Sequence, residues 1–451
     1  MTNPLSGNRL RWFNERWAVV DIGGKCRILR TQDAIPYDEQ NFKLSVASEH
    51  GGQGERLAVL WLRHPRRRTY RLGLEFDPSK PMTDDPMNKD GVTHYNLWTG
   101  FPIEPLEGDV QLFLSFVHDV ICNDDGFLRD WVLDWLADLV KNPGDKPGSA
   151  LVLRGAQGVG KGTFAEIVGT MLGRHYMPIG DPELLVGKFG GHLIDKLLVY
   201  ADEGSFEAKN ASTKLKHMIT ERDLVVEAKF QTPIVVKNSM RIMISGNADQ
   251  LIKAGQDERR YCIIDVNPRH QNDTPYFEKL RAWADNGGVN ALLHFLLNRE
   301  ITSNLRQVPN TKALQDHKLA GMSDVEKWWF DKLNQSVLVA RCDWIDTISI
   351  RYIHSDYINS MGWKSSRGSE TAFGKALKRM IPRMTITRAT VKGHRQRCYR
   401  FPPLNDCRQD FIERFGLDPD VFDDGPALRV VSDDAEIDYK PEAGANEESE
   451  S

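Results

Sequence analysis

The segment Gly155-Ala-Gln-Gly-Val-Gly-Lys-Gly-Thr163 constrains this chain more than any other. An apolar run, Ala150-Leu-Val-Leu-Arg154, precedes it and a helix-forming run, Phe164-Ala-Glu-Ile-Val-Gly-Thr-Met-Leu172, follows. Strand, glycine-rich loop, lysine and helix in this order make a phosphate-binding loop. Gly155, Gly158 and Gly160 let the backbone N–H groups around Val159 turn toward an anion, and the helix N-terminus adds its positive dipole end. Lys161 supplies a mobile charge for the β and γ phosphates of ATP. The fold class expected is α/β, with a parallel sheet between helices.

The position after the lysine usually carries a hydroxyl. Here it is Gly162, and the hydroxyl comes at Thr163, as in small-molecule kinases of the adenylate kinase type. Phosphate binding is compatible with that ending, while the direct contact of Thr163 with Mg²⁺ is left open. Lys196-Leu-Leu-Val-Tyr-Ala-Asp-Glu203 is an apolar strand ending in two acids, the Walker B form. Asp202 is expected to hold Mg²⁺ and Glu203 to activate the attacking water, a role no kinase needs. Ser239-Met-Arg-Ile-Met-Ile-Ser-Gly-Asn247 is a further buried strand whose terminal amide suits a sensor of the γ-phosphate. In Asp257-Glu-Arg-Arg-Tyr261, Arg260 is the first candidate for an arginine finger and Arg259 the second.

Elsewhere the pattern divides the chain. Residues 1–105 read as a small β-rich domain, with strands at Trp17–Ile22, Leu57–Leu62 and Tyr70–Phe76 and a solvated basic loop, Arg63–Arg68. Residues 106–145 have helical spacing, and the ATPase core occupies 146–300. A helical connector (301–342) containing Trp328, Trp329 and Phe330 leads to a basic domain (343–415) and an acidic tail (416–451) expected to be disordered on composition. Six scattered cysteines read as reduced thiols without zinc spacing. The N-terminus lacks a signal-peptide core and no apolar run reaches membrane length, so a soluble, intracellular protein is expected.

With those motifs in order, the chain resembles the superfamily 3 helicases, AAA+ ATPases of phage, plasmid and satellite replication, and especially the helicase portion of primase-helicases and primase-polymerases. Tyr95-Asn-Leu-Trp-Thr-Gly-Phe101, Trp131-Val-Leu-Asp-Trp-Leu-Ala-Asp-Leu139, the ATP-site series and Phe401-Pro-Pro403 carry the likeness, which covers most of residues 10–415. The resemblance implies a ring, usually a homo-hexamer, with ATP and Mg²⁺ between subunits and single-stranded DNA in the channel, moving 3′ to 5′. It also implies a DNA-touching loop between Walker B and the sensor strand. There Lys229 and Phe230 could meet backbone and base, with Lys214, Lys216 and Lys237 secondary; a solvated helix face explains Lys214 and Lys216 equally well, and Phe230 could equally be core. Residues 1–100 lack the paired acids of a polymerase, so a separate primase or origin-binding protein is the expected partner.

A net charge of −4 speaks against nucleic acid only as an average. Between residues 364 and 408 the acids Glu370 and Asp406 face twelve cations, among them Lys375, Lys378, Arg379, Lys392 and Arg395. Two helices (348–361 and 370–380) followed by a basic hairpin suggest a winged-helix-like domain that grips duplex or forked DNA. The function expected is an ATP-dependent DNA helicase. The alternative is an ATP-regulated origin-binding or loader ATPase that does not unwind.

Overall fold

The computed structural model describes residues 5, 7–22, 24–80, 93–181, 183–187, 190–202, 209–226, 234–247, 259–338, 344–360, 369–391 and 393–422. Two compact units divide the chain, one ending at Thr311 and one beginning at Lys312. Both are mixed α/β.

The first unit opens with α1 (Asn8–Arg16), β1 (Trp17–Ile22), β2 (Lys25–Arg30), β3 (Pro36–Tyr37), α2 (Glu39–His50), α3 (Gly54–Leu62) and β4 (Thr69–Tyr70). Its sheet has the order β3-β2-β1-β4. Here the β-rich expectation is corrected, because Leu57–Leu62 is helical. Leu57, Ala58 and Trp61 are buried along one helix face, a spacing no strand produces. Gly54 starts that helix against α2, where an added Cβ would lie 2.5 Å from the Ala47 Cα. The basic run is corrected too: Arg68 is buried, its Nε donating to the Tyr70 hydroxyl (2.9 Å) and its Nη1 to the Asn14 carbonyl (3.1 Å).

After the paired β5 (Leu74–Glu75) and β6 (Tyr95–Asn96) come α4 (Gln111–Phe116) and α5 (Gly126–Lys141). The tryptophans of the 131–139 motif are core, and its two aspartates are structural. Buried Asp134 accepts from Arg299 Nε (2.7 Å) and the Ser303 N–H (2.9 Å), and Asp138 accepts from the fully buried Arg241 (2.6 Å). The 95–101 motif docks on the end of the phosphate-loop helix, where Thr99 Oγ1 lies 3.0 Å from His175 Nε2. Burial pushes the His175 imidazole down to about 4.

The central α/β core follows: β7 (Ala150–Arg154), α6 (Lys161–Leu172), β8 (Tyr176–Ile179), α7 (Glu183–Val186), β9 (Leu198–Ala201), α8 (Lys209–Thr220), β10 (Asp223–Val226), β11 (Ile234–Lys237), β12 (Arg241–Gly246), β13 (Tyr261–Asp265), α9 (Thr274–Trp283) and α10 (Val289–Asn298). β10 and β11 form an antiparallel pair. The others make a five-stranded parallel sheet in the order β13-β7-β12-β9-β8. Its inner strands are buried on both faces, which is why they read as unbroken apolar runs. All their C-terminal ends share one edge of the sheet.

In the second unit, α11 (Lys312–Ala320), α12 (Asp324–Asn334), β14 (Thr347–Ser349), α13 (Ile350–Ser360), α14 (Glu370–Met380), β15 (Thr385–Val391), β16 (His394–Arg400) and α15 (Leu404–Phe415) surround one core. The expected connector is corrected here: Trp328 and Trp329 pack on Phe373 (5.3 Å) and Phe401 (5.5 Å), inside this core. The helix expected from 348 begins at Ile350, because Thr347–Ser349 joins the sheet as β14, in the order β14-β16-β15.

Candidate functional site

The phosphate loop joins the C-terminal end of β7 to α6. Gly158 (φ +81°) and Gly160 (φ +106°) hold conformations that side chains disfavour. A Cβ at Gly158 would lie 2.1 Å from Asn272 Oδ1, and one at Gly160 2.7 Å from a Phe277 ring carbon. Gly162 differs, since a Cβ there meets nothing within 4 Å. No steric demand explains the missing hydroxyl. Val159 and Thr163 are both buried.

Lys161 and Asn247 come together. Lys161 Nζ donates to the carbonyls of Gly155 (2.6 Å) and Ala156 (2.8 Å) and stands 3.4 Å from Asn247 Oδ1. Gly155 is tied to β12 through its N–H on the Gly246 carbonyl (3.1 Å). Two strand spacings away, roughly 10 Å, Asp202 stands at the same edge. Its Oδ1 accepts from Ser245 Oγ (2.5 Å) and from the Tyr200 hydroxyl (3.0 Å), leaving Oδ2 for another partner. Sequence reading missed Ser245 and Tyr200. Their signal was available as polar side chains inside apolar strands, where burial demands a partner. Glu203 lies outside the described residues.

Arg259 and Arg260 stand at the other edge of the sheet. The Ala150 N–H donates to the Arg260 carbonyl (2.7 Å), which places the pair before β13 and level with the start of β7. The length of β7, roughly 16 Å, separates them from the phosphate loop of the same chain. They line a cleft of about 1140 Å³ together with Lys141, Lys146, Arg222 and Arg306. Lys146 Nζ donates to the Met218 carbonyl (2.6 Å), and burial pushes its ammonium down to about 7. Lys237 also borders this cleft, paired with Asp77 at 2.9 Å. Lys214 donates to the Val186 carbonyl (2.7 Å). Lys229 and Phe230, between β10 and β11 in the chain, lie outside the described residues.

In the second unit, Lys378 is committed to the structure, its Nζ donating to the carbonyls of Pro382 (2.8 Å) and Met384 (2.5 Å). Arg383 is paired with Asp406 and Asp410. Lys375, Arg379 and Arg395 are exposed, and Lys392 lies outside the described residues. Arg388 and Arg397 face each other directly across β15 and β16. Like charges so placed destabilise a sheet by a few tenths of a kcal/mol or more, on the order of 0.5.

Residues 153–260 match a family described as a family of unknown function (DUF5906). A DNA primase-polymerase of Nitratiruptor phage NrS-1 is 23% identical over 199 residues, 43% of this chain and 27% of that protein. The chain thus spans about a quarter of that relative's length in the alignment. The apo structure of the NrS-1 C-terminal region is similar at a TM-score of 0.67 and 18% identity, covering 89% of this chain and all of that one. A second apo form of that region gives 0.65 at 18% identity, covering 87% and 98%. The chain shares the fold of that region. No helix among the described residues is long and apolar enough to cross a membrane.

Proposed function

We propose that this chain is an ATP-dependent DNA helicase of the superfamily 3, AAA+ type, serving a phage-like replication system in the bacterial cytoplasm. One observation carries the reading: Lys161, Asn247 and the Ser245-bound Asp202 stand along the C-terminal edge of one parallel sheet, beside a loop in which Gly158 and Gly160 leave no room for a Cβ. That the relative is a DNA primase-polymerase supports the link to replication.

ATP fits the residues present. Gly155 to Thr163 cradle the phosphates, and Lys161 leaves the loop carbonyls to neutralise the β and γ groups. Asp202, whose Oδ1 accepts from Ser245 and Tyr200, would hold Mg²⁺ together with Thr163. Bound Mg²⁺ supplies charge neutralisation across the phosphates. Asn247 orients the lytic water and Glu203 takes its proton. Arg260, or Arg259, acts on the nucleotide of a neighbouring copy, since its own lies at the other edge of the sheet. A homo-hexameric ring meets that requirement.

The second unit serves as a winged-helix-like domain in this reading, with Lys375 and Arg379 on α14 and Arg388, Arg395 and Arg397 on the β15–β16 hairpin. It grips duplex at the fork, while the segment holding Lys229 and Phe230 contacts the single strand. A separate primase and an origin-binding protein are the candidate partners. Purified protein with ATP and Mg²⁺ should hydrolyse ATP faster with single-stranded DNA and separate a forked duplex. Equal activity in Lys161→Ala would refute the reading, and single-strand-insensitive hydrolysis with tight duplex binding would favour a loader.

A further inference from the structure

Two carbonyls of the phosphate loop are held from outside by a segment more than a hundred residues later in the chain. The Asn272 N–H donates to the Gly158 carbonyl (3.0 Å), and Gln271 Nε2 donates to the Gln157 carbonyl (3.0 Å). A trans peptide is planar, so its C=O and N–H point opposite ways. Fixing the carbonyls of 157 and 158 toward Gln271 and Asn272 therefore turns the N–H groups of Gly158 and Val159 away from them. Consecutive N–H groups on one side form an anion-binding nest.

The segment is itself braced. Asn272 sits at φ +59°, a conformation that asparagine tolerates better than most residues. Asp273 caps α9 by accepting the Tyr276 N–H (3.2 Å) and also accepts from His270 Nδ1 (2.8 Å), whose ring stacks 3.8 Å from that of Tyr276. Gly158 is in direct contact with it, since its absent Cβ leaves the room that Asn272 Oδ1 fills.

We infer that Gln271 and Asn272 are positioning residues for the nucleotide's phosphates, acting through the 157–159 backbone; this rests on the ATP reading above. Both are exposed, so substitutions there leave the core intact.

The full chain carrying Gln271→Glu, which exchanges the N–H donor for a carboxylate facing a carbonyl, should raise the KM for ATP about tenfold. Its kcat should stay within about twofold and its Tm should not move. Gln271→Arg keeps a donor and should restore KM to within about threefold of the parent. Gly158→Ala should weaken ATP binding, and Asn272→Gly in the same chain should recover about fivefold of the loss by clearing the space. An unchanged KM in Gln271→Glu, while Lys161→Ala abolishes binding, overturns the inference and spares the ATP site. So does a KM rise that tracks a falling Tm and that Gln271→Arg does not reverse. If Lys161→Ala also binds ATP like the parent, the ATP reading fails and this one with it.

Discussion

The two edges of the five-stranded sheet are built from the same strands and have opposite characters. At the C-terminal edge, glycines with positive φ and a lysine among carbonyls make a compact, polar cradle. At the N-terminal edge, Arg222, Arg259, Arg260 and Arg306 line an open cleft, and Arg241 and His175 are buried at the starts of β12 and β8. On the proposed reading, the first edge receives the phosphates of a nucleotide and the second faces the nucleotide of a neighbouring copy. Parallel strands make this division unavoidable, because every βα turn falls on one side and every αβ turn on the other.

The largest effect should come from separating the edges genetically. Arg260→Ala is expected to lower turnover about a thousandfold, in the range of lost arginine fingers, while ATP still binds. Mixing it with Lys161→Ala should restore part of the activity, since some interfaces then pair an intact loop with an intact arginine; phosphate release on titrating one variant into the other measures this. No recovery would mean the edges do not meet across subunits.

Next in size is the ion pair at the N-terminal edge. Asp138→Ala leaves Arg241 buried and uncompensated, a loss of about 3–5 kcal/mol. Asp265→Ala removes the half-exposed partner of Arg154 at the C-terminal edge and should cost about 1 kcal/mol or less. Urea titrations of both variants test the contrast.

Acid should act on the N-terminal edge in the same way. His175 is held neutral down to about 4, whereas in the unfolded chain it protonates near 6.5. Below that value the unfolded state takes up a proton the native state refuses. Stability should fall by about 3 kcal/mol between pH 6.5 and pH 4 on this account, and His175→Gln should flatten that part of the profile.

The smallest effect belongs to Gly162. With open space around it, Gly162→Ala should stabilise α6 by about 0.5 kcal/mol and leave the ATP affinity within about threefold. A large loss would show that the backbone at 162 needs glycine's freedom to reach the phosphates.

Local chemistry made the phosphate loop, Asp202 and Asn247 legible, because each sits at the end of an apolar strand whose burial on both faces leaves an unmistakable run. Leu57–Leu62 misled for a related reason: a short apolar stretch suits strand or helix until its neighbours choose the buried face. Trp328 and Trp329 showed that they would be buried and not in which unit.

By itself, the amino-acid order determined that a glycine-rich loop would join a strand to a helix opening at Lys161, and that residues 364–408 would be strongly basic. Only the tertiary structure decided what lies beyond one chain segment's reach. It brought Ser245 to Asp202 and Gln271 to Gln157, and it moved Arg260 a full strand length from the loop. The reason is geometric. Backbone torsions and helix dipoles act over a few residues, whereas strand order and the direction of each crossover arise only when separate segments bury their apolar faces together.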